Sequence, residues 1–276
     1  MSVNRRDALS LLPPCATTGI GSLPLSLAAA LRLSLQQDVP YLPEVAGELM
    51  LPLALSADLP PSLEPFTSAL QLRGARFAKA QLAGPATVMT YSDRREGVVE
   101  QLAAKAAAMA RELIAAKVTP LFFLDEPGLG MGPLPVAALE GVRRAASEAG
   151  AIVGLHCCGQ TRWGELLGLG FDVISLDARL SLDALLEDRR AWLRFLEEGG
   201  TLCLGIIPTN AGAKYDVNEL CDSVEASLRA STPNFQRVLS RMLLSPACGL
   251  GLHSVEDAAR ISAELLGAQA RLRALL

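Results

Sequence analysis

Aromatic and charged residues are scarce in this chain of 276 residues. Aromatic side chains make up 4% of the sequence and charged side chains 20%, and the formal net charge is -4. We find no cluster of lysine and arginine interleaved with aromatic residues that would suit a phosphate backbone. We therefore expect no nucleic-acid partner.

The sequence also lacks a long apolar run. No stretch reaches the roughly 18 uninterrupted apolar residues that indicate a membrane-spanning helix. The opening MSVNRRDALSLLPP has two arginines and an apolar stretch that is too short for a secretory signal. The six cysteines are scattered through a chain far longer than disulfide-stapled scaffolds, which favours reduced thiols. The sequence thus predicts a soluble, cytoplasmic protein without a membrane span.

Hydrophobic residues are abundant, at 50% of the sequence, and short apolar runs alternate with helical patterns. The length is close to that of α/β barrels, about 250 residues, but it also suits two small domains. About eight strand candidates separated by helices favour a closed parallel barrel over an open sheet. We predict a single (β/α)8 TIM barrel over residues 16–276, preceded by an N-terminal extension over residues 1–15.

The stretch LHCCGQTRW, residues 155–163, follows a short apolar run that is typical of a buried strand. Residues two apart on a strand point the same way, so His156 and Cys158 direct an imidazole and a thiol to one side while Cys157 faces the other. This is half of a zinc-binding set. A His-x-Cys pair alone is a weak signal, because buried cysteines are usually small apolar filler.

Reactive side chains recur where the predicted strands end, which is where a parallel barrel builds its active site. These residues are Ser22, Asp125, Glu126, His156, Cys158, Asp177 and Cys248. Asp125 ends the apolar run PLFFL, where a carboxylate is costly to bury unless it is paired or used. Ser22 suits equally a ligand contact and the cap of the following helix.

Six short motifs occur in one order along the chain: IGSLP, AGPAT, FLDEPGL, the His-x-Cys pair, FDVISLD and PACGL. In these the chain resembles the catalytic barrel of cobalamin-independent methionine synthase. It is more similar to the shorter, single-barrel members of the uroporphyrinogen decarboxylase and methionine synthase superfamily. The resemblance covers nearly the whole chain and implies a zinc-dependent transfer of a methyl or other alkyl group to a thiol.

The resemblance also implies the site residues. The zinc ligands would be His156, Cys158, Asp177 and Cys248, and Ser22 and Asp125 would hold an amino acid substrate. A catalytic zinc ion suits three firm ligands and one displaceable ligand, and we expect Asp177 or water to be the displaceable one. Asp125 and Glu126 are the candidate catalytic acids, with Glu126 either acting itself or only orienting Asp125.

The chain departs from the methionine synthase pattern at three places. Asp177 stands where that family has a glutamate, so its shorter side chain reaches the metal directly or only through water. The segment IIPTNAGAK lacks the family's catalytic histidine, and the acid that follows the DEP motif falls near Met131. Glu44 is then the candidate to bind a substrate amine, and the alternative is that it is a solvated loop acid.

These departures shape the expected reaction. The leading expectation is methylation of homocysteine to methionine, with a coenzyme M-type thiol as the other acceptor. A methylfolate leaving group needs protonation, whereas a methylcorrinoid does not. We therefore expect methylcobalamin, or a separate corrinoid protein docked at the barrel mouth, as the donor. Two different functions also fit the sequence: a metal-free, uroporphyrinogen decarboxylase-like enzyme, and a small-molecule binding protein that uses Asp125.

Overall fold

The computed structural model describes residues 8–45, 48, 50–210 and 212–276. Within them, seven strands form one parallel sheet in the order β1-β7-β6-β5-β4-β3-β2. Their bounds are β1 (Ala16–Thr17), β2 (Phe77–Ala83), β3 (Thr119–Asp125), β4 (Ile152–Cys157), β5 (Val173–Asp177), β6 (Thr201–Ile207) and β7 (Leu243–Pro246). The sheet curls round so that β1 and β2 approach each other.

The segment 39–44 fills the gap between β1 and β2. The backbone N–H of Val39 donates to the Thr17 carbonyl at 2.9 Å, and isolated parallel bridges join Tyr41 to Lys79 and Glu44 to Ser22. The prolines in VPYLPEV provide no backbone N–H, which explains why this stretch is an irregular bridging segment and not a regular strand. Residues 46, 47 and 49 of the same stretch lie outside the described residues. The segment closes the ring, and the chain is a (β/α)8 barrel, as predicted.

Helices surround the barrel. They are α1 (Leu27–Ser34), α2 (Met50–Leu55), α3 (Leu63–Arg73), α4 (Pro85–Tyr91), α5 (Val98–Ala115), α6 (Val136–Glu148), α7 (Trp163–Leu167), α8 (Ala178–Glu187), α9 (Arg189–Glu197), α10 (Val217–Ser231), α11 (Phe235–Arg241) and α12 (Val255–Arg273). The segment between β5 and β6 forms two helices, because Asp188 ends α8 and caps α9 by accepting from Ala191 N at 3.0 Å. Among the described helices, none is long and apolar enough to cross a membrane.

The inside of the barrel has an apolar lower part and a polar upper part. Phe77, Leu121 and Ile152, near the start of their strands, belong to one buried cluster with Leu9 and Leu12 of the N-terminal segment. Further along the strands the buried inward positions become polar, as at Lys79, Gln81, Asp125, His156, Ser175 and Ser245. The strand alternation places these polar side chains beneath the carboxyl ends of the strands.

Candidate metal centre

His156 sits near the end of β4 and is held from the neighbouring strand. It pairs in register with Ser175 of β5, and its Nδ1 lies 2.9 Å from the Ser175 Oγ. Its Nε2 is buried and has no hydrogen-bond partner among the described residues. A buried polar nitrogen without a partner is costly, so this nitrogen suits a ligand that the protein itself does not supply.

Two thiols lie beside that nitrogen. The ligand atoms of His156, Cys158 and Cys248 are all within 4.8 Å of one another. They come from β4, from the turn that follows it, and from the turn after β7. One imidazole and two thiols are a donor set that zinc favours, at about 2.0–2.3 Å from the ion, and a second bond from the other imidazole nitrogen is typical of ligating histidines. The residues present therefore fit zinc.

The two thiols affect each other's ionisation. Interaction with Cys158 and with His156 lowers the pKa of Cys248 to about 4 despite its burial. Interaction with Cys248 raises the pKa of Cys158. A lowered pKa favours the thiolate, which is the form of cysteine that binds metals. Cys157 is buried in the outer core, away from these groups, as the strand alternation predicted.

Asp177 does not join the three ligands within 4.8 Å of one another. Its Oδ1 accepts from the backbone N–H of Arg179 at 2.9 Å and of Leu180 at 3.1 Å, so it caps α8. Burial raises the pKa of Asp177, and the charge of Cys248 adds a small contribution, which puts the carboxyl in electrostatic range of that thiol. The helix N-terminus thus occupies one oxygen of Asp177, and its role as a direct or displaceable ligand stays a prediction.

A cavity of about 390 Å³ opens above the thiols. Its lining includes three residues that the sequence assigned to substrate binding, Ser22, Glu44 and Asp125, beside His156, Cys158 and Cys248. Ser22 does not cap α1, since its Oγ accepts from Gly251 N at 3.0 Å and Ser26 is the N-cap residue. The helix-cap alternative for Ser22 is therefore wrong.

Two of the three acids that line this cavity, Asp125 and Glu44, have raised pKa values. Asp125 is only 6% exposed, and its Oδ1 has no hydrogen-bond partner among the described residues. Burial raises the pKa of Asp125, and the charges of Lys79 and His156 oppose the rise. Burial and the nearby Asp125 raise the pKa of Glu44 to about 7. Glu44 is half-buried in the cavity wall, so the alternative of a solvated loop acid is wrong.

Sequence reasoning missed Lys79 and Gln81, which hold Glu44 from below. The Lys79 Nζ donates to the Ile20 carbonyl at 2.8 Å and to Gln81 Oε1 at 3.2 Å, and it lies 5.0 Å from the centre of the Phe123 ring. The Gln81 Nε2 donates to Glu44 Oε1 at 2.9 Å. The sequence does contain a sign of their role: both are polar residues at alternate positions of the otherwise apolar run FAKAQLA.

Glu126 turns away from the cavity. It is fully buried, and its Oε1 accepts from Ala86 N at 3.0 Å while its Oε2 accepts from the N–H and the Oγ1 of Thr87, each at 2.7 Å. These bonds anchor the start of α4. The structure thus gives Glu126 an anchoring role in place of the predicted catalytic one, and it explains why the AGPAT and FLDEPGL motifs occur together.

No family model matches the chain, and no curated protein matches it. Solved structures match over most of its length. A GH113 β-mannanase from Alicyclobacillus acidocaldarius is 13% identical with a TM-score of 0.57, covering 96% of this chain and 99% of that chain. A D-psicose 3-epimerase from Clostridium cellulolyticum H10 is 12% identical with a TM-score of 0.54, covering 94% and 98%. At these identities the likeness shows the barrel fold alone, and the resemblance to methionine synthases stays a prediction.

Proposed function

We propose that this barrel is an enzyme that transfers a methyl or other alkyl group to a small thiol at a zinc centre formed by His156, Cys158 and Cys248. The observation that carries the proposal is the buried, unpartnered Nε2 of His156 beside two thiols at the floor of a cavity. When bound there, zinc would supply the Lewis acidity that keeps a substrate thiol deprotonated at neutral pH.

The protein's own residues have three tasks in this reaction. Ser175 fixes the His156 ring through Nδ1, so that Nε2 faces the thiols. The turn after β7 brings Cys248 to the site, and Ser22 ties that turn to the end of the first strand through Gly251 N. Asp177 is bound to the start of α8 through Oδ1 and is not one of the firm ligands; in this proposal it or a water molecule takes the displaceable position.

The charge of the cavity favours an amine-bearing thiol. Three acids, Glu44, Glu48 and Asp125, line it, and among its described lining residues there is no lysine or arginine. An ammonium group would balance the carboxylates, whereas the sulfonate of coenzyme M would meet the same sign of charge. Homocysteine is therefore the preferred acceptor in this proposal, and a coenzyme M-type thiol is the alternative.

The sequence at the end of β6 and just after it suggests which methyl donor the enzyme uses. The segment IIPTNAGAK contains no histidine or acid that could protonate a folate leaving group. A methylcorrinoid needs no such proton, so methylcobalamin or a corrinoid protein at the barrel mouth is the proposed donor. The test is to offer methylcobalamin and methyltetrahydrofolate separately with homocysteine and to measure methionine. Turnover with the cobalamin is expected, and turnover with the folate alone would refute the donor.

A second function is favoured by one observation. Asp125 keeps an unpartnered buried oxygen, so it could serve a metal-free, decarboxylase-like reaction or ligand binding without the thiols. The two functions differ in what the cysteines do. In the metal-free case, replacement of Cys248 by alanine would leave the binding of ligands at Asp125 unchanged.

A further inference from the structure

A second cavity lies at the opposite end of the barrel from the candidate metal centre. It has a volume of about 260 Å³, is open to solvent on one side, and is lined by α9, by α11 and by the start of β6 at Thr201. The metal centre is built at the carboxyl ends of the strands, whereas this cavity touches an amino end. A molecule bound here would not take part in chemistry at the thiols.

The walls of this cavity are largely apolar. Leu193 and Leu196 of α9 face Leu202 of β6 and Val238 of α11 across it. Enclosed cavities with apolar walls and a few convergent polar groups are the usual form of small-molecule sites. The walls therefore suit the hydrocarbon part of a ligand.

The charged groups of the cavity are mostly arginines. Arg189, Arg237 and Arg241 line it together with one acid, Glu197. Arg241 is engaged by the protein, since its Nη2 donates to the Gly199 carbonyl at 3.3 Å. Arg189 and Arg237 form no ion pair with any residue that the structure describes, whereas Arg229, Arg260, Arg271 and Arg273 are all paired with acids.

The positive charge extends beyond the cavity itself. Arg190 and Arg194 line an adjoining groove on α9 with Arg189. These arginines lie together although the net charge of the chain is -4. They come from α9 and α11, two segments that are about 40 residues apart in the sequence. Guanidinium groups near one another repel, and an anion between them would relieve that repulsion and accept charge-assisted hydrogen bonds.

We infer that this cavity binds a small organic anion, with its apolar part against the leucines and its carboxylate or phosphate group paired with Arg189 and Arg237. The inference does not depend on the proposed alkyl transfer. Its ligand class differs from that of the cavity above the thiols, which is lined by acids. The two ends of the barrel are thus suited to ligands of opposite charge.

The test uses phenyl phosphate as the probe, with binding measured by calorimetry on the full chain. The double variant Arg189→Gln, Arg237→Gln should weaken binding about tenfold or more, since two charge-assisted contacts are lost. Arg194→Gln is the matched control on the same helix and should change binding less than about twofold. Benzyl alcohol, which has the ring without the charge, should bind at least about tenfold more weakly than phenyl phosphate.

Three outcomes would overturn the inference: no binding of phenyl phosphate by the wild-type protein, equal weakening by Arg194→Gln, or equal binding of benzyl alcohol. Circular dichroism of each variant shows whether it is folded. Arg189 and Arg237 are exposed, so we expect folded variants. Zinc content should not differ between these variants and the wild type, which separates this test from that of the proposed function.

Discussion

The Nδ1 of His156 lies 2.9 Å from the Oγ of Ser175, across the pairing of β4 with β5. This contact sets which imidazole nitrogen faces Cys158 and Cys248. Groups that hold a ligating histidine through its other nitrogen fix the tautomer and the orientation of the ring, and their loss weakens metal binding.

Ser175→Ala should therefore lower zinc affinity about 10–100-fold without removing a ligand. Affinity would be measured by competition with a chromophoric chelator. Ser245→Ala is the control, because Ser245 is also buried inside the barrel but contacts Cys203 rather than the histidine. Equal affinity in the wild type and Ser175→Ala would show that this contact does not orient a metal ligand.

The carboxyl groups of the upper cavity should select the charge of the thiol. At a pH above the raised pKa values of these groups, Glu44→Gln and Asp125→Asn should each weaken homocysteine binding about tenfold, because each removes a negative charge near the expected ammonium group. Binding would be followed through the spectrum of the cobalt-substituted protein. Glu126→Gln, next in sequence to Asp125 but bound to α4, should leave homocysteine binding unchanged. Coenzyme M binding as tight as that of homocysteine in the wild type would argue against the amine-bearing substrate.

Lys79→Met should raise the pH at which homocysteine binding becomes tight. The Lys79 charge lowers the pKa of both Glu44 and Asp125, against the effect of burial. Without that charge both carboxyl groups hold their protons to higher pH, so tight binding of an ammonium group would begin at higher pH than in the wild type. Binding measured across a pH series tests this. An unchanged profile in a folded variant would mean that Lys79 does not tune these acids.

Glu126 should make stability depend on pH. Burial raises the pKa of Glu126 from 4.5 to about 7, so between these values the folded protein holds a proton that the unfolded chain has lost. The free energy of unfolding should fall as pH rises through this window, by on the order of 3 kcal/mol from this group. Urea titrations of Glu126→Gln should show a flatter dependence than the wild type. The exposed Glu112→Gln should keep the wild-type dependence, and an equal slope in all three proteins would contradict the account.

The sequence predicted the barrel, and it predicted that His156, Cys158 and Cys248 lie together, because the carboxyl ends of parallel strands must meet at one face. It did not predict that Asp177 caps a helix, because an aspartate between a strand and a helix suits a cap and a ligand equally, and only the structure shows the cap. Glu126 turns away from the cavity for a reason visible in the sequence: it is adjacent to Asp125, and successive side chains of an extended segment point to opposite sides.

Other parts of the site depend on contacts between distant segments. Lys79 and Gln81 belong to the site only because the irregular segment 39–44 brings Glu44 into contact with Gln81. The proximity of Ser22 to the Cys248 turn likewise requires the closure of the barrel. Pro40 and Pro43 interrupt the strand pattern of this segment, so the sequence left open whether Glu44 contacts a substrate or is a solvated loop acid.

The most direct measurement is the zinc content of the protein purified without chelators, compared with Cys248→Ala and Cys157→Ala. We expect about one zinc ion per chain in the wild type and in Cys157→Ala, whose thiol is buried in the outer core away from the cluster, and about a tenth or less in Cys248→Ala. Negligible zinc in all three proteins, or equal zinc in the wild type and Cys248→Ala, would contradict this expectation.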